Sequence, residues 1–376
     1  MRIVRVALEP YRLALREPLR TARATLWERR GIVLRVRFSD GIEGLGEAAP
    51  LPGFGGEPLG QSWRTLETLA TRLRGAQLDT DGLEAVAGAL IHAPAARAAL
   101  EVAALDAAGQ RCGQSVAERL ADEPAGSVAV NALLDAETPS ALAAQARARR
   151  AQGFATLKLK VGGRLLARDG ERVRAVRDAV GPAVAIRLDA NGAWSEAEAA
   201  RALECFEAAQ PELVEEPLVA ATPEAWARLR RRSATRLAAD ESLRCEADAA
   251  RLLEAGAVDV LVLKPAWLGG LRGCLRIASR AASEGIVCAV TSALDSAIGR
   301  AAALHLAAAL DGPLASGLAT GDRLASDLAR LPEAVAGRMA LPAAAGLGLE
   351  MPAPAAPSAK DGCAHPESRT GRARRP

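Results

Sequence analysis

Charged side chains occur at regular spacing in the middle of this 376-residue sequence, each at the end of a short apolar run. Counted from Lys160 to Lys264, the successive separations are 29, 26, 25 and 24 residues. The ionisable residues at these run ends are Lys158, Lys160, Asp189, Glu215, Glu216, Asp240, Glu241 and Lys264. Carboxylates from three neighbouring runs, without histidine or thiolate, predict a hard oxygen site suited to Mg²⁺, with Mn²⁺ as a substitute.

The lysines indicate proton-transfer chemistry. Only four of the 48 basic residues are lysines, and Lys158, Lys160 and Lys264 lie in these runs. Lys158 and Lys160 would share one face of a strand, where mutual repulsion and a nearby cation favour a neutral amine. A neutral lysine can remove a proton beside a substrate carboxylate, whereas arginine stays protonated. A divalent cation would stabilise the resulting enediolate.

Lys264, on the far side of the same site, has three interpretations: a second acid or base, a fixed cation facing the intermediate, or a salt-bridge partner of Asp240 or Glu241. The group of lysines and carboxylates as a whole also has other interpretations, namely a structural ring of buried ion pairs, a Schiff-base aldolase and a non-catalytic binding barrel. A metal-dependent enzyme is favoured because active sites tolerate such concentrations of charge.

The apolar runs have the length and composition of buried β-strands and alternate with helical stretches about every 25 to 30 residues, the length of a βα unit. The predicted strands are Val128–Leu134, Thr156–Val161, Ala185–Ala190, Glu212–Pro217, Arg236–Ser242, Val258–Lys264 and Ile286–Ser292. An eighth short strand is predicted near residues 315–319. Seven or eight such units predict a parallel barrel with its catalytic groups at the carboxyl ends of the strands.

The first 120 residues have a different pattern. Residues 1–50 predict strands joined by a turn at residues 39–41, and the Gly/Pro-rich residues 49–56 predict a binding loop. From about residue 59 to residue 121 the apolar spacing is helical, with interruptions expected at Gly109 and Gly113. This part of the chain is therefore predicted to be an α+β unit.

Composition narrows the class of protein. The formal charge of +3 excludes a protein dominated by a nucleic-acid-binding surface. The sequence contains neither a signal-peptide core nor an apolar run long enough to span a membrane. The six cysteines are scattered, so we expect reduced thiols in a cytoplasmic protein. Residues 351–376 are expected to form a disordered basic tail.

The motifs around these residues resemble those of the enolase superfamily, in its muconate-lactonising branch. They are Leu157-Lys-Leu-Lys-Val-Gly162, Leu188-Asp-Ala-Asn191, Val214-Glu-Glu-Pro217, Ala239-Asp-Glu-Ser242 and Leu263-Lys-Pro265 with Gly269-Gly270. The resemblance implies a (β/α)7–8 TIM-like α/β barrel at residues 123–322. It also implies an N-terminal α+β capping domain at residues 1–122, completed by about 323–350.

The resemblance also implies residue roles. Asp189, Glu215 and Asp240 would bind Mg²⁺. Lys160 would be the base, with Lys158 beside it and Lys264 opposite. The residues expected to support them through hydrogen bonds are Glu216, Glu241, Asn191 and Arg187, the last on the same strand face as Asp189.

The loop at residues 46–55 resembles that of o-succinylbenzoate synthases within this branch. A small-molecule carboxylate, 2-succinyl-6-hydroxy-2,4-cyclohexadiene-1-carboxylate, would then lose water to give o-succinylbenzoate for menaquinone biosynthesis. The expected substrate contacts are Gly53, Phe54, Ser292 and Asp295. No oligomeric state is indicated.

The same resemblance allows N-acylamino-acid racemisation or dipeptide epimerisation, in which Lys160 and Lys264 exchange protons on opposite faces of one carbon. Dipeptide epimerases usually carry an Asp-x-Asp pair near the eighth strand. Residues 317–323 have only Asp322, which favours the synthase. Gly192 departs from the synthase pattern, in which a larger polar residue is common.

Overall fold

The computed structural model describes residues 2–20, 25–51 and 56–351. Two predicted substrate contacts, Gly53 and Phe54, lie outside the described residues. The predicted basic tail lies outside them as well, apart from Met351.

The N-terminal part of the chain forms a three-stranded antiparallel sheet in the order β1-β2-β3. The strands are β1 (Ile3–Arg20), β2 (Thr25–Phe38) and β3 (Glu43–Ala48). The turn predicted at residues 39–41 separates β2 from β3, and Gly41 has a φ of 87°, which glycine adopts without steric cost. This sheet therefore follows the sequence pattern closely.

Four helices follow that sheet, of which the first and the third pack against it. They are α1 (Leu59–Leu73), α2 (Thr80–Gly88), α3 (Pro94–Cys112) and α4 (Val116–Leu120). Helix α3 continues through Gly109, so the interruption expected there is wrong. A Cβ at Gly109 would lie 2.9 Å from the Gly346 Cα, so glycine here permits close packing instead of ending the helix. The helix ends at Gly113, with a φ of 67°, as predicted.

The second sheet is parallel, and its seven strands follow one another in chain order from β5 to β11. The strands are β5 (Ala132–Leu134), β6 (Thr156–Lys160), β7 (Ala185–Asp189), β8 (Leu213–Glu215), β9 (Arg236–Ala239), β10 (Val260–Leu263) and β11 (Val287–Val290). The intervening and following helices are α5 (Pro139–Ala151), α6 (Leu166–Val180), α7 (Glu196–Phe206), α8 (Pro223–Arg232), α9 (Glu246–Glu254), α10 (Pro265–Leu268), α11 (Leu271–Ser283) and α12 (Ala297–Leu310). Each strand is shorter than predicted.

The predicted strand Val128–Leu134 is divided in the structure. Its first part, β4 (Ser127–Ala129), pairs antiparallel with β12 (Arg338–Ala340), and only β5 joins the parallel sheet. The partner of β4 is about 200 residues away in sequence, and a local apolar pattern does not reveal which partner a strand will take.

Residues 316 and 317 connect the two edges of the curled sheet. The Asn131 N–H, directly before β5, donates to the Ser316 carbonyl at 3.0 Å, and the Gly317 N–H donates to the Val290 carbonyl of β11 at 2.8 Å. This segment forms isolated parallel bridges instead of the regular strand predicted near residues 315–319. Both sheet edges thus form hydrogen bonds with this segment, and the carboxyl ends of the strands face one mouth.

The C-terminal part of the described chain returns to the N-terminal elements. The Ala325 N–H donates to the Ala14 carbonyl at 2.8 Å, and the Leu347 N–H donates to the buried Asp106 carboxylate at 2.8 Å. Among the described residues, none of the helices has the length and apolarity needed to cross a membrane.

Candidate active site

The predicted catalytic residues lie along one edge of the parallel sheet. Lys160, Asp189 and Glu215 are the last residues of β6, β7 and β8, and they stand side by side in the strand register. Asp240 and Lys264 directly follow β9 and β10. All strands of a parallel sheet end at the same edge, so the fold brings these five residues to one mouth.

Lys158 is held between two carboxylates. Its Nζ lies 2.7 Å from Glu215 Oε1 and 3.0 Å from Asp189 Oδ2. Burial alone would lower the pKa of Lys158, but the negative charges of Asp189 and Glu215 outweigh it and raise the pKa. Lys158 is therefore a fixed ammonium ion in this arrangement.

Lys160 has a neutral hydrogen-bond partner instead. Its Nζ donates to Asn191 Oδ1 at 2.9 Å, and Asn191 Nδ2 donates to Glu241 Oε1 at 3.0 Å. Burial and the positive charge of Lys158 lower the pKa of Lys160, although Asp189 opposes that shift. Lys160 is thus the lysine most readily deprotonated among the three.

Lys264 pairs with Asp240, with Nζ 2.5 Å from Oδ2. Its Nζ also lies 3.9 Å from the centre of the Trp267 ring. Burial would lower the pKa of Lys264, but the charges of Asp240 and Glu241 raise it. The ammonium form of Lys264 is therefore stabilised.

Glu216 and Glu241 lie beside the predicted metal ligands. Glu216 Oε2 accepts the N–H groups of Asp240 at 2.9 Å and Ser242 at 3.1 Å, which fixes the turn after β9. Burial raises the pKa of Glu216 to about 7, and burial with the Asp240 charge raises that of Glu241 to about 7. The supporting role of both glutamates stays a prediction.

Arg187 lies one step inward from Asp189 on the same strand face. Its hydrogen bonds go to Glu212 and to the Ala315 carbonyl, the latter at 2.6 Å. Arg187 therefore links β7 to the segment that joins the sheet edges, a structural contact across the inside of the curled sheet.

The two predicted substrate contacts that the structure describes follow β11. The Ser292 hydroxyl lies 3.0 Å from that of Thr320. Asp295 accepts the Ala293 N–H at 3.0 Å and lies 3.8 Å from the Arg29 guanidinium. Burial and the charge of Glu47 raise the pKa of Asp295 to about 6. Both side chains are buried at the same mouth of the sheet as the lysines.

The predicted metal ligands fit Mg²⁺ in donor chemistry. Asp189, Glu215 and Asp240 are buried carboxylates on neighbouring strands, and Asp240 Oδ1 has no hydrogen-bond partner. Within the described residues, however, no three acidic or His/Cys side chains form a ready metal cluster. The carboxylates instead approach the ammonium groups of Lys158 and Lys264.

Two buried residues near this mouth were not predicted from the sequence. Arg29 donates to the carbonyls of Ala49 at 2.7 Å and Leu294 at 3.0 Å, and thereby joins the N-terminal sheet to the loop after β11. Trp267 lies against Lys264. Arg29 is one of many arginines and carries no local signal, whereas Trp267 could have been noticed as a tryptophan three residues after a predicted catalytic lysine.

The curled parallel sheet, its row of lysines and carboxylates, and the α+β elements beside it define an α/β enzyme whose site lies at the strand ends. Family models agree with that class. Residues 141–355 match the enolase C-terminal domain-like family, and residues 3–120 match the mandelate racemase / muconate lactonizing enzyme N-terminal domain. The chain belongs to the enolase superfamily.

Its relatives include enzymes of different activity. A hydrophobic dipeptide epimerase of Enterococcus faecalis is 32% identical over 314 residues, 82% of this chain and 88% of that protein. An o-succinylbenzoate synthase of Thermobifida fusca is 42% identical over 205 residues, 54% of this chain and 62% of that protein. The structure of the Enterococcus faecalis epimerase with Mg and L-Leu-L-Tyr has a TM-score of 0.86 at 29% identity, covering 93% of this chain and 99% of that chain.

Proposed function

We propose that Lys160 removes a proton from the carbon next to a substrate carboxylate. The observation that carries this proposal is the difference among three neighbouring lysines. Lys158 and Lys264 are paired with carboxylates, whereas Lys160 contacts a neutral amide. A general base must be unprotonated near neutral pH in order to accept a proton. Of the three environments, only that of Lys160 favours the neutral amine.

Asp189, Glu215 and Asp240 would hold the Mg²⁺ that the superfamily uses, with Mn²⁺ as a substitute. Bound there, the ion would offset the negative charge that develops on the substrate carboxylate as its neighbouring proton leaves. Support comes from the oxygen donors and from the Mg-containing relative. Lys264, held by Asp240 and Trp267, would present a positive charge on the other side of the substrate.

The reaction that we propose is the synthesis of o-succinylbenzoate. Lys160 takes the proton beside the ring carboxylate of 2-succinyl-6-hydroxy-2,4-cyclohexadiene-1-carboxylate. The C–O bond on the adjacent carbon then breaks, and the departing hydroxide receives that proton from Lys160 and leaves as water. The new double bond completes an aromatic ring, so the elimination is strongly downhill. Ser292 and Asp295, with Gly53 and Phe54, would contact the substrate.

Two observations support the synthase. The Thermobifida fusca synthase has higher identity, 42%, in the region where it matches. Asp322, near the segment where a dipeptide epimerase would bind the substrate amine, is exposed and bonds to Arg149 at 3.1 Å. The adjacent Arg323 pairs with Asp135 at 2.7 Å. Residues 317–323 thus offer no pair of carboxylates to an ammonium group.

The second candidate is a dipeptide epimerase or N-acylamino-acid racemase. The observation that favours it is the coverage of the epimerase relatives, 82% of this chain, against 54% for the synthase. Lys160 and Lys264 would then exchange protons on opposite faces of one α-carbon. The same lysines serve both reactions, so the substrate decides between them.

A direct assay separates the candidates. Purified protein with Mg²⁺ and the cyclohexadiene carboxylate should change the ultraviolet absorbance of the substrate, and EDTA should stop the change until Mg²⁺ is restored. A Lys160→Ala protein purified in parallel controls for contaminating enzymes. No change at micromolar enzyme, combined with epimerisation of a hydrophobic dipeptide or an N-succinyl amino acid by polarimetry, would replace the synthase with the second candidate.

We also propose that the chain is divided into a capping unit and a catalytic barrel. Residues 1–122 with about 323–350 would form the capping unit, and residues 123–322 would form a (β/α)7–8 barrel that carries the lysines and metal ligands. The hydrogen bonds from the Ala325 N–H to the Ala14 carbonyl and from the Leu347 N–H to the Asp106 carboxylate support the return of the C-terminal segment to the capping unit.

A further inference from the structure

A buried indole lies directly against one of the site lysines. Trp267 is only 5% exposed, and its ring centre is 3.9 Å from Lys264 Nζ. The guanidinium carbon of Arg244 lies 4.7 Å from the same ring. Aromatic rings attract cations through their electron-rich faces, and the attraction is larger where water is excluded. The indole thus interacts with the Lys264 ammonium at a buried position.

The local backbone fixes this arrangement. Helix α10 begins immediately after Lys264, with Pro265 in its first position. The Lys264 carbonyl accepts the N–H of Trp267 at 2.9 Å and that of Leu268 at 3.0 Å, so one helical turn places residue 267 beside residue 264. Gly269, with a φ of 76°, ends the turn. The separation of the lysine and the indole is therefore set by one short turn.

Packing from other parts of the chain holds the indole on its remaining sides. Trp267 belongs to a small buried apolar cluster with Leu26, Leu51 and Ala293. Leu26 lies on β2, Leu51 follows β3, and Ala293 follows β11. The indole therefore has little freedom to move away from Lys264, because large buried side chains pack densely.

We propose that Trp267 is a positioning residue that holds the Lys264 ammonium at a fixed place on one side of the substrate. The proposal rests on the proposed function of Lys160 and Lys264. Lys160 is held by Asn191 instead, with its Nζ 2.9 Å from Asn191 Oδ1. Loss of the indole should therefore slow proton exchange between the substrate and Lys264, and leave proton exchange with Lys160 unchanged.

Proton exchange in D₂O measures the two sides separately. With Mg²⁺ and each enantiomer of an N-succinyl amino acid, NMR follows the loss of the α-proton that faces Lys160 or Lys264. Trp267→Leu should slow exchange on the Lys264 side about tenfold and leave the Lys160 side within about twofold. Trp267→Phe, which keeps an aromatic face, should restore most of the lost rate. Equal losses on both sides would show a merely structural role and overturn the proposal.

Trp63→Leu is the matched control, since Trp63 packs against the separate apolar core of the N-terminal sheet. That substitution should leave the ratio of the two exchange rates unchanged. A ratio that changes as much as in Trp267→Leu would contradict a specific role for Trp267.

A second measurement tests the contact without any enzymatic activity. The sequence has only four lysines, so lysine-specific ¹³C labelling gives few side-chain signals, and Lys264→Arg identifies one of them. The indole should shift the Lys264 Hε signals upfield, and Trp267→Leu should remove that shift while Trp63→Leu keeps it. An unshifted Lys264 signal would overturn the positioning role even if the enzyme is active. A shifted signal in a protein that neither exchanges an enantiomer nor converts the cyclohexadiene carboxylate would refute the proposed function and leave the contact established.

Discussion

At the scale of single residues, the partners of each lysine determine what it can do. Lys158 and Lys264 each face carboxylates, and Lys160 faces an amide. The sequence predicted that these three lysines lie together, because their spacing matches the repeat of a βα unit. A salt bridge was one of the interpretations of Lys264, whereas the partner of Lys160 was not predicted, since Asn191 reaches Lys160 only through a turn in which Asn191 has a φ of 47°.

The first prediction concerns Lys160. We expect Lys160→Arg to lower kcat at least about 10³-fold, because arginine keeps the positive charge but cannot serve as a base. Turnover of the cyclohexadiene carboxylate measures the effect, and the thermal unfolding midpoint checks that the variant is folded. Near-normal turnover in a folded variant would show that Lys160 is not the base.

Lys264 offers a test of a different kind. If Lys264 acts only through its charge, Lys264→Arg should keep part of the synthase activity, because the ion pair with Asp240 can re-form. Racemisation of an N-acyl amino acid needs a second proton donor and should be lost completely. Both activities are measured on one preparation. Loss of both to the same extent would contradict a purely electrostatic role for Lys264 in the synthase reaction.

At the scale of elements, the repeated strands were predictable because each is a short run of apolar residues between helices. In β10, for example, all residues of Val260–Leu263 are buried. The predicted strands were too long because Asp240, Glu241 and Lys264 lie beyond the ends of β9 and β10. The division of Val128–Leu134 was not predictable, since it depends on pairing with Arg338–Ala340.

Contacts between elements were the other feature that local patterns did not reveal. Arg29 is 1% exposed on β2 and donates to the carbonyls of Ala49, Pro50 and Leu294. Glu47, on β3, accepts the N–H groups of Ser296 and Gly299 at the start of α12. These bonds join the N-terminal sheet to the loop after β11, and they exist only once the two units are docked.

We expect Arg29→Leu to lower the free energy of unfolding by about 3 kcal/mol, because it leaves buried carbonyls and the Asp295 carboxylate without their donor or counter-charge. Urea unfolding measures the change. Arg30→Leu is the control, since the neighbouring Arg30 side chain is 50% exposed and pairs with Glu28 at the surface. Equal destabilisation by both substitutions would mean that Arg29 contributes no more than a surface residue.

At the scale of the whole molecule, a buried histidine connects three distant parts of the chain. His305 lies on α12 and is fully buried. Its Nδ1 accepts the Ala117 N–H of α4 at 3.3 Å, and its Nε2 lies 3.3 Å from the Leu347 carbonyl in the C-terminal segment. Both contacts are made by a neutral ring that donates from Nε2. Burial accordingly lowers the pKa of His305 from 6.5 to about 4.

This depressed pKa predicts how stability depends on pH. Above pH 6.5 the ring is neutral in both states, and its contribution to folding is fully present. As the pH falls towards 4, the unfolded chain binds a proton that the folded chain excludes, so stability falls by about 2 kcal/mol at pH 5. The glutamine in His305→Gln offers an acceptor and a donor but does not titrate. Between pH 7.5 and 5, the free energy of unfolding of this variant, measured in urea, should therefore fall by about 2 kcal/mol less than that of the wild type. The exposed His92, changed to Gln, should keep the wild-type dependence. An identical pH dependence in His305→Gln and wild type would show that the buried ring does not control acid stability.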